Sequence, residues 1–307
     1  VCMNIQNINA GALPFTDQNE LETVRKRLAK EQRQLKIKKF LSNKMSVAGF
    51  VIVLVMVLVA VFAPIIAKVS PYDADVVNRL QKPSAAHIFG TDSLGRDVFS
   101  RVLYGARVSM TVGFSVGLLS AVLGMIMGIY ASTSKIMDNI LMRLCDGLKA
   151  IPNILLAITL MAVLGADIKN VIISLTVVST PAIARIARSS ALVVKEQTYV
   201  EAMKCLGASR SRILWRHIAP NILAPVIVQM TFVFASAIIS EAALSFLGAG
   251  VPAPIPSWGS ILNEGKSYIF SNSWWMIAFP GIFTGISVLG LNLFGDGLRD
   301  FLDPLTN

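Results

Sequence analysis

The sequence predicts an all-α, polytopic membrane protein with six transmembrane helices and both termini in the cytoplasm. Three observations carry this. Only 15% of the 307 residues are charged, where a soluble chain carries about 25%, so much of the surface must face lipid. Uncharged apolar runs of about 20 residues recur, each long enough to cross about 30 Å of hydrocarbon as a helix. Of the 28 Lys and Arg residues, 20 fall on the side of an inward N-terminus and 8 on the other, the bias that sets orientation. That bias also absorbs the net charge of +10 without invoking nucleic acid.

Residues 1–45 read as a cytoplasmic tail ending in a basic amphipathic helix. Leu21, Val24, Leu28 and Leu35 fall at helical spacing among cations, as in a helix lying on anionic lipid headgroups. A nucleic-acid arm is the alternative, but cations abutting a first span are what membrane topology demands. Residues 46–67 form the first span, built on the apolar run Val47 to Ala67. Residues 68–106 form an external loop. Within it Thr91 or Asp92 is expected to cap a surface helix, stabilised by Asp92–Arg96 and Asp97–Arg101 at i, i+4.

A five-helix core occupies 107–297. Its first helix, Val108 to Ala131, carries Gly113, Gly117, Gly124 and Gly128 at a spacing suited to close packing. The next span runs from Arg143 to Gly165 with Pro152 inside it, and Asp146 and Lys149 are placed to pair. Val171 to Ala187 follows, with Arg185 and Arg188 snorkelling at its inner end. Ile222 to Leu247 and Trp274 to Phe294 complete the set, and residues 298–307 are a cytoplasmic tail. The stretch between the last two spans is stiffened by Pro252, Pro254 and Pro256. Trp258 there is assigned to the pathway mouth, with interfacial anchoring as the alternative; Trp274 and Trp275 are assigned as interfacial anchors.

Between the fourth and fifth spans, the cytoplasmic loop 190–221 is the most basic connection in the core. Helix formers run from Val200 to Leu206, and Gly207 breaks the pattern. Ser209 is placed to cap a second short helix, Arg210 to His217, stopped by Pro220. Two short helices joined at a glycine make a knob that fits a groove on a soluble partner. Lys204, Arg210, Arg212 and Arg216 serve either that partner or positive-inside anchoring.

Catalytic chemistry finds little support. Acids and bases inside spans mark function because charge in lipid is costly, and the span interiors hold almost none. Glu241 is the exception, a possible pathway group with three readings: substrate contact, a partner-subunit pair, or a wet cavity. Gly90 to Asp97 has the outer spacing of a P-loop, but Arg96 and Asp97 stand where Lys and Ser/Thr belong. Before Gly265-Lys266-Ser267, Gly259 lies one residue too far away. Cys2, Cys145 and Cys205 suggest no disulfide framework, and His87 and His217 no metal site.

The run EAMKCLG, with Pro220 thirteen residues after Gly207, resembles the EAA signature of bacterial ABC importer permeases. Glu201, Ala202, Gly207 and Pro220 match; Met203, His217 and Ala219 depart. FGTDSLGRDVFSRVLYGARVS (Phe89 to Ser109) and PSWGSIL (Pro256 to Leu262) are similar to the dipeptide, oligopeptide and nickel branch, and to its C-type subunit in particular. The resemblance implies a type I ABC importer permease fold in a bacterial plasma membrane. Its implied partners are a second, homologous permease, two cytoplasmic ABC ATPases and an external solute-binding protein.

The same resemblance implies that this chain is not itself an enzyme and binds no cofactor, ATP and Mg being held by the ATPases. Glu201, Ala202, Met203, Gly207, Ala208, Arg212 and Pro220 would form the ATPase-coupling loop. Asp92, Arg96, Asp97, Arg101 and Trp258 would belong to the external helix and loop. Peptides are the expected cargo, nickel or a metal chelate the alternative within the branch. An ATP-independent secondary transporter is the competing class. It calls for mid-membrane ionisable groups and broken helices, and Pro152, Pro181 and Pro280 are candidate breaks without charged partners.

Overall fold

The computed structural model describes residues 43–302 apart from 269 and 271, together with Arg27. The basic amphipathic helix expected over 20–44, except for Arg27 and its last two residues, and Cys2 lie outside the described residues. Within them, the elements are α1 (Lys44–Ile66), α2 (Val98–Ala131), α3 (Lys135–Ala150), α4 (Asn153–Leu164), α5 (Ile168–Lys195), α6 (Thr198–Cys205), α7 (Arg210–Phe246), α8 (Trp258–Lys266) and α9 (Trp275–Leu302). Five of them, α1, α2, α5, α7 and α9, are long and apolar enough to cross a membrane; α3 and α4 meet that test only as a pair bent by 93°, a broken span or a re-entrant loop.

Helix α2 is the hub, packed between α1, α5 and α7. Its glycines divide the work. A Cβ on Gly113 would lie 2.7 Å from Phe234 of α7, and one on Gly128 would lie 2.6 Å from the Ala187 Cβ and the Arg188 backbone nitrogen of α5. The missing side chains let the backbones approach, as their spacing predicts. Helix α1 packs on α9 in the same way: Gly290 lies against Ile52 and Gly297 against Ser46. Asn43 caps α1 and donates to Asp300 Oδ2 at 3.2 Å. The two ends of the described chain therefore sit at one end of the bundle.

Several sequence boundaries need correction. The span from Arg143 to Gly165 is not one helix. Proline disfavours the helical region for the residue before it, and Ile151 is extended (φ −93°, ψ 134°), so α3 stops at Ala150 and α4 leaves at 93°. Helix α4, of 12 residues, rises only about 18 Å, too little to cross alone. Asp146 does not pair with Lys149. It meets Arg185 Nη2 at 2.8 Å, and Asp138 takes both Arg188 Nε and Nη2, so these arginines tie α3 to α5 instead of snorkelling alone. Pro181 and Pro280 lie inside unbroken helices.

Helix α2 begins ten residues before the expected Val108, capped by Asp97 rather than by Thr91 or Asp92. Its charged first turns are neutralised by partners distant in sequence, which a count of local charge misses. Helix α9 runs past Phe294 to Leu302. Gly295 is buried against Thr231 and Phe232 of α7, where it serves packing and not termination.

Candidate functional site

The knob stands at the end of the bundle shared by Asn43 and Leu302. Helix α6 ends in a Schellman motif: the Gly207 N–H donates to the Lys204 carbonyl and the Ala208 N–H to the Met203 carbonyl, both at 3.0 Å. The motif needs a left-handed residue at its turn, and Gly207 has φ +76°. An added Cβ there would meet nothing within 4 Å, so the requirement is set by the backbone and not by crowding. Met203 and Ala208, which flank the turn, are half-buried.

Val200, Ile213 and Ile218 are buried beneath the knob and anchor it to the bundle. Glu201, Ala202, Lys204, Cys205, Arg210 and Arg212 face outward, and Leu206 at the tip is 86% exposed. Among the described residues Glu201, Lys204, Arg210, Arg212 and Arg216 make no ion pair within the chain. Ser209 accepts from the Arg212 N–H at 3.4 Å, as its capping role requires.

Pro220 does not stop the second helix. The chain winds wide in a π-turn over Ile213–Ile218 and continues as one helix, α7, to Phe246. Widening accommodates a proline that lacks an N–H and whose ring would otherwise strike the preceding turn. Asn221 Nδ2 fastens the junction, donating to the His217 carbonyl at 2.6 Å and to Tyr199 Oη of α6 at 3.2 Å. Sequence reasoning missed Asn221, since nothing in its local pattern distinguishes it. Beside it opens a cleft of about 540 Å³, lined by Asn221, Ala224, Gln229, Phe232 and Arg299 among others.

At the opposite end, four charges form a cluster in which Asp92, Arg96 and Arg101 are buried and Glu264 is partly exposed. Arg96 Nε donates to Asp92 Oδ2 at 2.6 Å and Arg96 Nη2 to Glu264 Oε2 at 2.6 Å. Arg101 grips Glu264 through both terminal nitrogens, at 2.5 and 2.8 Å, and also reaches Asp92. Two cations and two carboxylates balance, which is what makes such burial tolerable. The expected Asp97–Arg101 pair is absent. Asp97 instead caps α2 through the Ser100 N–H at 2.8 Å and meets His87 Nδ1 at 3.0 Å. Glu264 was overlooked in the sequence; it is the sole acid between 248 and 273, a signal that was available.

Two further assignments at this end change. Trp258 is fully buried, its Nε1 donating to the Val102 carbonyl at 3.1 Å, so its side chain lines no mouth. Trp275 is buried too and donates to the Thr91 carbonyl, while Trp274 remains half-exposed. Glu241 faces no open cavity: it is 0% exposed, bonded to Ser109 and Ser245.

Residues 120–307 match the family model of the binding-protein-dependent transport system inner membrane component. The chain belongs to this family. Residues 32–83 match a second model, the N-terminal transmembrane domain of oligopeptide transport permease C. The chain is 52% identical over 256 residues to a putative peptide transport system permease protein of Brucella suis, covering 83% of this chain and 86% of that one. It is 40% identical over 267 residues to the oligopeptide transport system permease protein OppC of Bacillus subtilis, covering 87% of each. The MetNI methionine ABC transporter in an inward-facing conformation shares the fold, with a TM-score of 0.55 at 19% identity over 66% of this chain and 96% of that one. The protein is thus a multi-pass permease of the inner membrane.

Proposed function

We propose that this permease is one of two homologous subunits forming the pathway of an ATP-driven importer of di- or oligopeptides. Two cytoplasmic ATPases drive it and an external binding protein delivers the cargo. The peptide assignment follows the names of its relatives. The knob carries the coupling reading. A short helix, locked at its base by a Schellman turn, presents Glu201, Ala202 and Leu206 outward with no side-chain partner among the described residues, as a surface meant for another protein does. Glu201 reaches a basic group of the ATPase, small Ala202 permits close approach, and Gly207 and Pro220 hold the shape of the turn and the junction.

Closure of the ATPases on ATP draws the knobs of the two permeases together. Helix α7 of 37 residues carries that displacement about 55 Å to the far end and opens the cavity outward; hydrolysis reverses it. The knob, Asn43 and Leu302 then lie on the cytoplasmic side.

Affinity purification of the tagged chain from mild detergent, followed by reconstitution, tests this. A second permease and P-loop ATPases should co-purify, and uptake of labelled peptide should require ATP and a binding protein. A chain that purifies alone and moves solute without nucleotide defeats the proposal.

A further inference from the structure

The end of the bundle opposite the knob holds a carboxylate that the coupling scheme leaves unused. Glu241 sits about 45 Å along α7 from Arg210 by helical rise. Its Oε2 accepts from Ser109 Oγ of α2 and its Oε1 from Ser245 Oγ, both at 2.8 Å. Each serine oxygen in turn accepts a backbone N–H from the link between α7 and α8, residues 247–257, or from its first helical residue. Val251 N donates to Ser245 Oγ at 3.0 Å and Trp258 N to Ser109 Oγ at 3.4 Å. Two relays therefore run from Val251, midway along the link, and from Trp258, just past its end, into the two oxygens of one carboxylate.

The surroundings fit a clamp better than a binding site. Among the described residues Glu241 forms no ion pair, and hydroxyl donors satisfy it. A Cβ on Gly250 would fall 2.4 Å from the Ser245 nitrogen, and one on Gly259 would fall 2.6 Å from the Ala242 carbonyl oxygen. The link thus lies directly on α7, with no space for cargo. If packing alone were required, an apolar side chain would join α2 to α7 without the desolvation cost of a carboxylate. What the carboxylate adds is two acceptor atoms of fixed separation, shared by Ser109, Ser245 and the link's own Ser257. Between the clamped residues, Ala253 and Pro254 stand exposed in a tip stiffened by Pro252, Pro254 and Pro256.

We infer that Glu241 is a positioning residue for transport: through Ser109 and Ser245 it pins Val251 and Trp258, holding the proline-rich tip between them in one conformation at the mouth of the bundle. This rests on the transport reading above. The test is hydrogen exchange by mass spectrometry on the full reconstituted complex, alongside peptide uptake. In Glu241→Gln the carboxamide keeps one acceptor oxygen, so one serine loses its partner. Exchange at Val251 or at Trp258, whichever relay loses its acceptor, should quicken about 10- to 100-fold and maximal uptake should fall about tenfold, with exchange in α5 and α9 unchanged.

Ser245→Ala should quicken Val251 selectively, and Ser109→Ala should quicken Trp258, a split that general destabilisation would not produce. If Glu241→Gln fails to assemble, these two variants decide the matter. Wild-type exchange in the variants overturns the inference. So does faster exchange with undiminished uptake, or lost uptake with unchanged exchange, which would make Glu241 a direct cargo contact. A wild-type complex that imports no peptide refutes the peptide reading alone. The exchange pattern still decides the clamp, with ATPase rate then replacing uptake.

Discussion

Gly207→Val attacks the knob where the backbone alone sets the requirement. Gly207 has φ +76° with open space around its missing side chain, so the added methyl groups collide with nothing beyond their own backbone. A β-branched residue held left-handed costs on the order of 1–3 kcal/mol. The chain escapes that strain only by giving up the Gly207–Lys204 and Ala208–Met203 hydrogen bonds, each contributing about 0.5–1.5 kcal/mol. A net penalty of about 2 kcal/mol leaves roughly one knob in 30 in its native shape, and apparent affinity for the ATPases falls by the same fraction. In proteoliposomes, peptide uptake and binding-protein-stimulated ATPase should drop about 10- to 30-fold. Insertion and yield should hold, because Val200, Ile213 and Ile218 still anchor the knob's base. Gly207→Asn, which tolerates the left-handed region, should retain most activity. Uptake in Gly207→Val within twofold of wild type would refute the reasoning.

Arg101→Ala leaves buried Asp92 and partly exposed Glu264 with Arg96 alone, a loss of about 3 kcal/mol; the melting temperature of the purified complex should fall by about 10 °C. Gly128→Leu drives a side chain into the α5 backbone and should lower yield and melting temperature sharply. Gly285→Ala, with nothing within 4 Å, should leave both unchanged or slightly raised. Exposed Cys205 should react with a membrane-impermeant maleimide in inverted vesicles but not in intact cells, in a Cys2→Ser background, while buried Cys145 stays unmodified in both. Labelling of Cys205 from outside the cell would reverse the assigned orientation. Tyr199→Phe removes one of the two acceptors of Asn221, the one that ties it to α6, and should reduce the maximal ATPase rate a few-fold without altering yield.

Much of the architecture was legible because lipid imposes long apolar helices, and because Gly113, Gly117, Gly124 and Gly128 announce close packing by spacing alone. The Gly207 turn was legible for the same reason: a local backbone requirement leaves a local mark. Prolines were not. Pro152 breaks a helix, Pro181 and Pro280 do not, and Pro220 is absorbed by a π-turn. The outcome depends on what the surrounding helices allow, and the residue itself carries no sign of it. The charged cluster was half-legible. Asp92 and Arg96 are near neighbours in sequence, but Glu264 joins Arg101 across 163 positions, a contact that no periodicity encodes. Trp258 was assigned to the pathway mouth because its loop is stiffened by prolines, and Trp275 to the interface because tryptophan favours it on average, whereas here each indole N–H finds a buried carbonyl, Val102 and Thr91 respectively.

The coupling reading turns on what touches the tip of the knob. A photocrosslinking amino acid at position 206, in place of the exposed Leu206, placed in the assembled complex and irradiated with and without ATP, reports that contact directly. The account predicts a covalent adduct with the ATP-binding subunit whose yield changes with nucleotide. Adducts with lipid alone, or with this chain and no other, would contradict it.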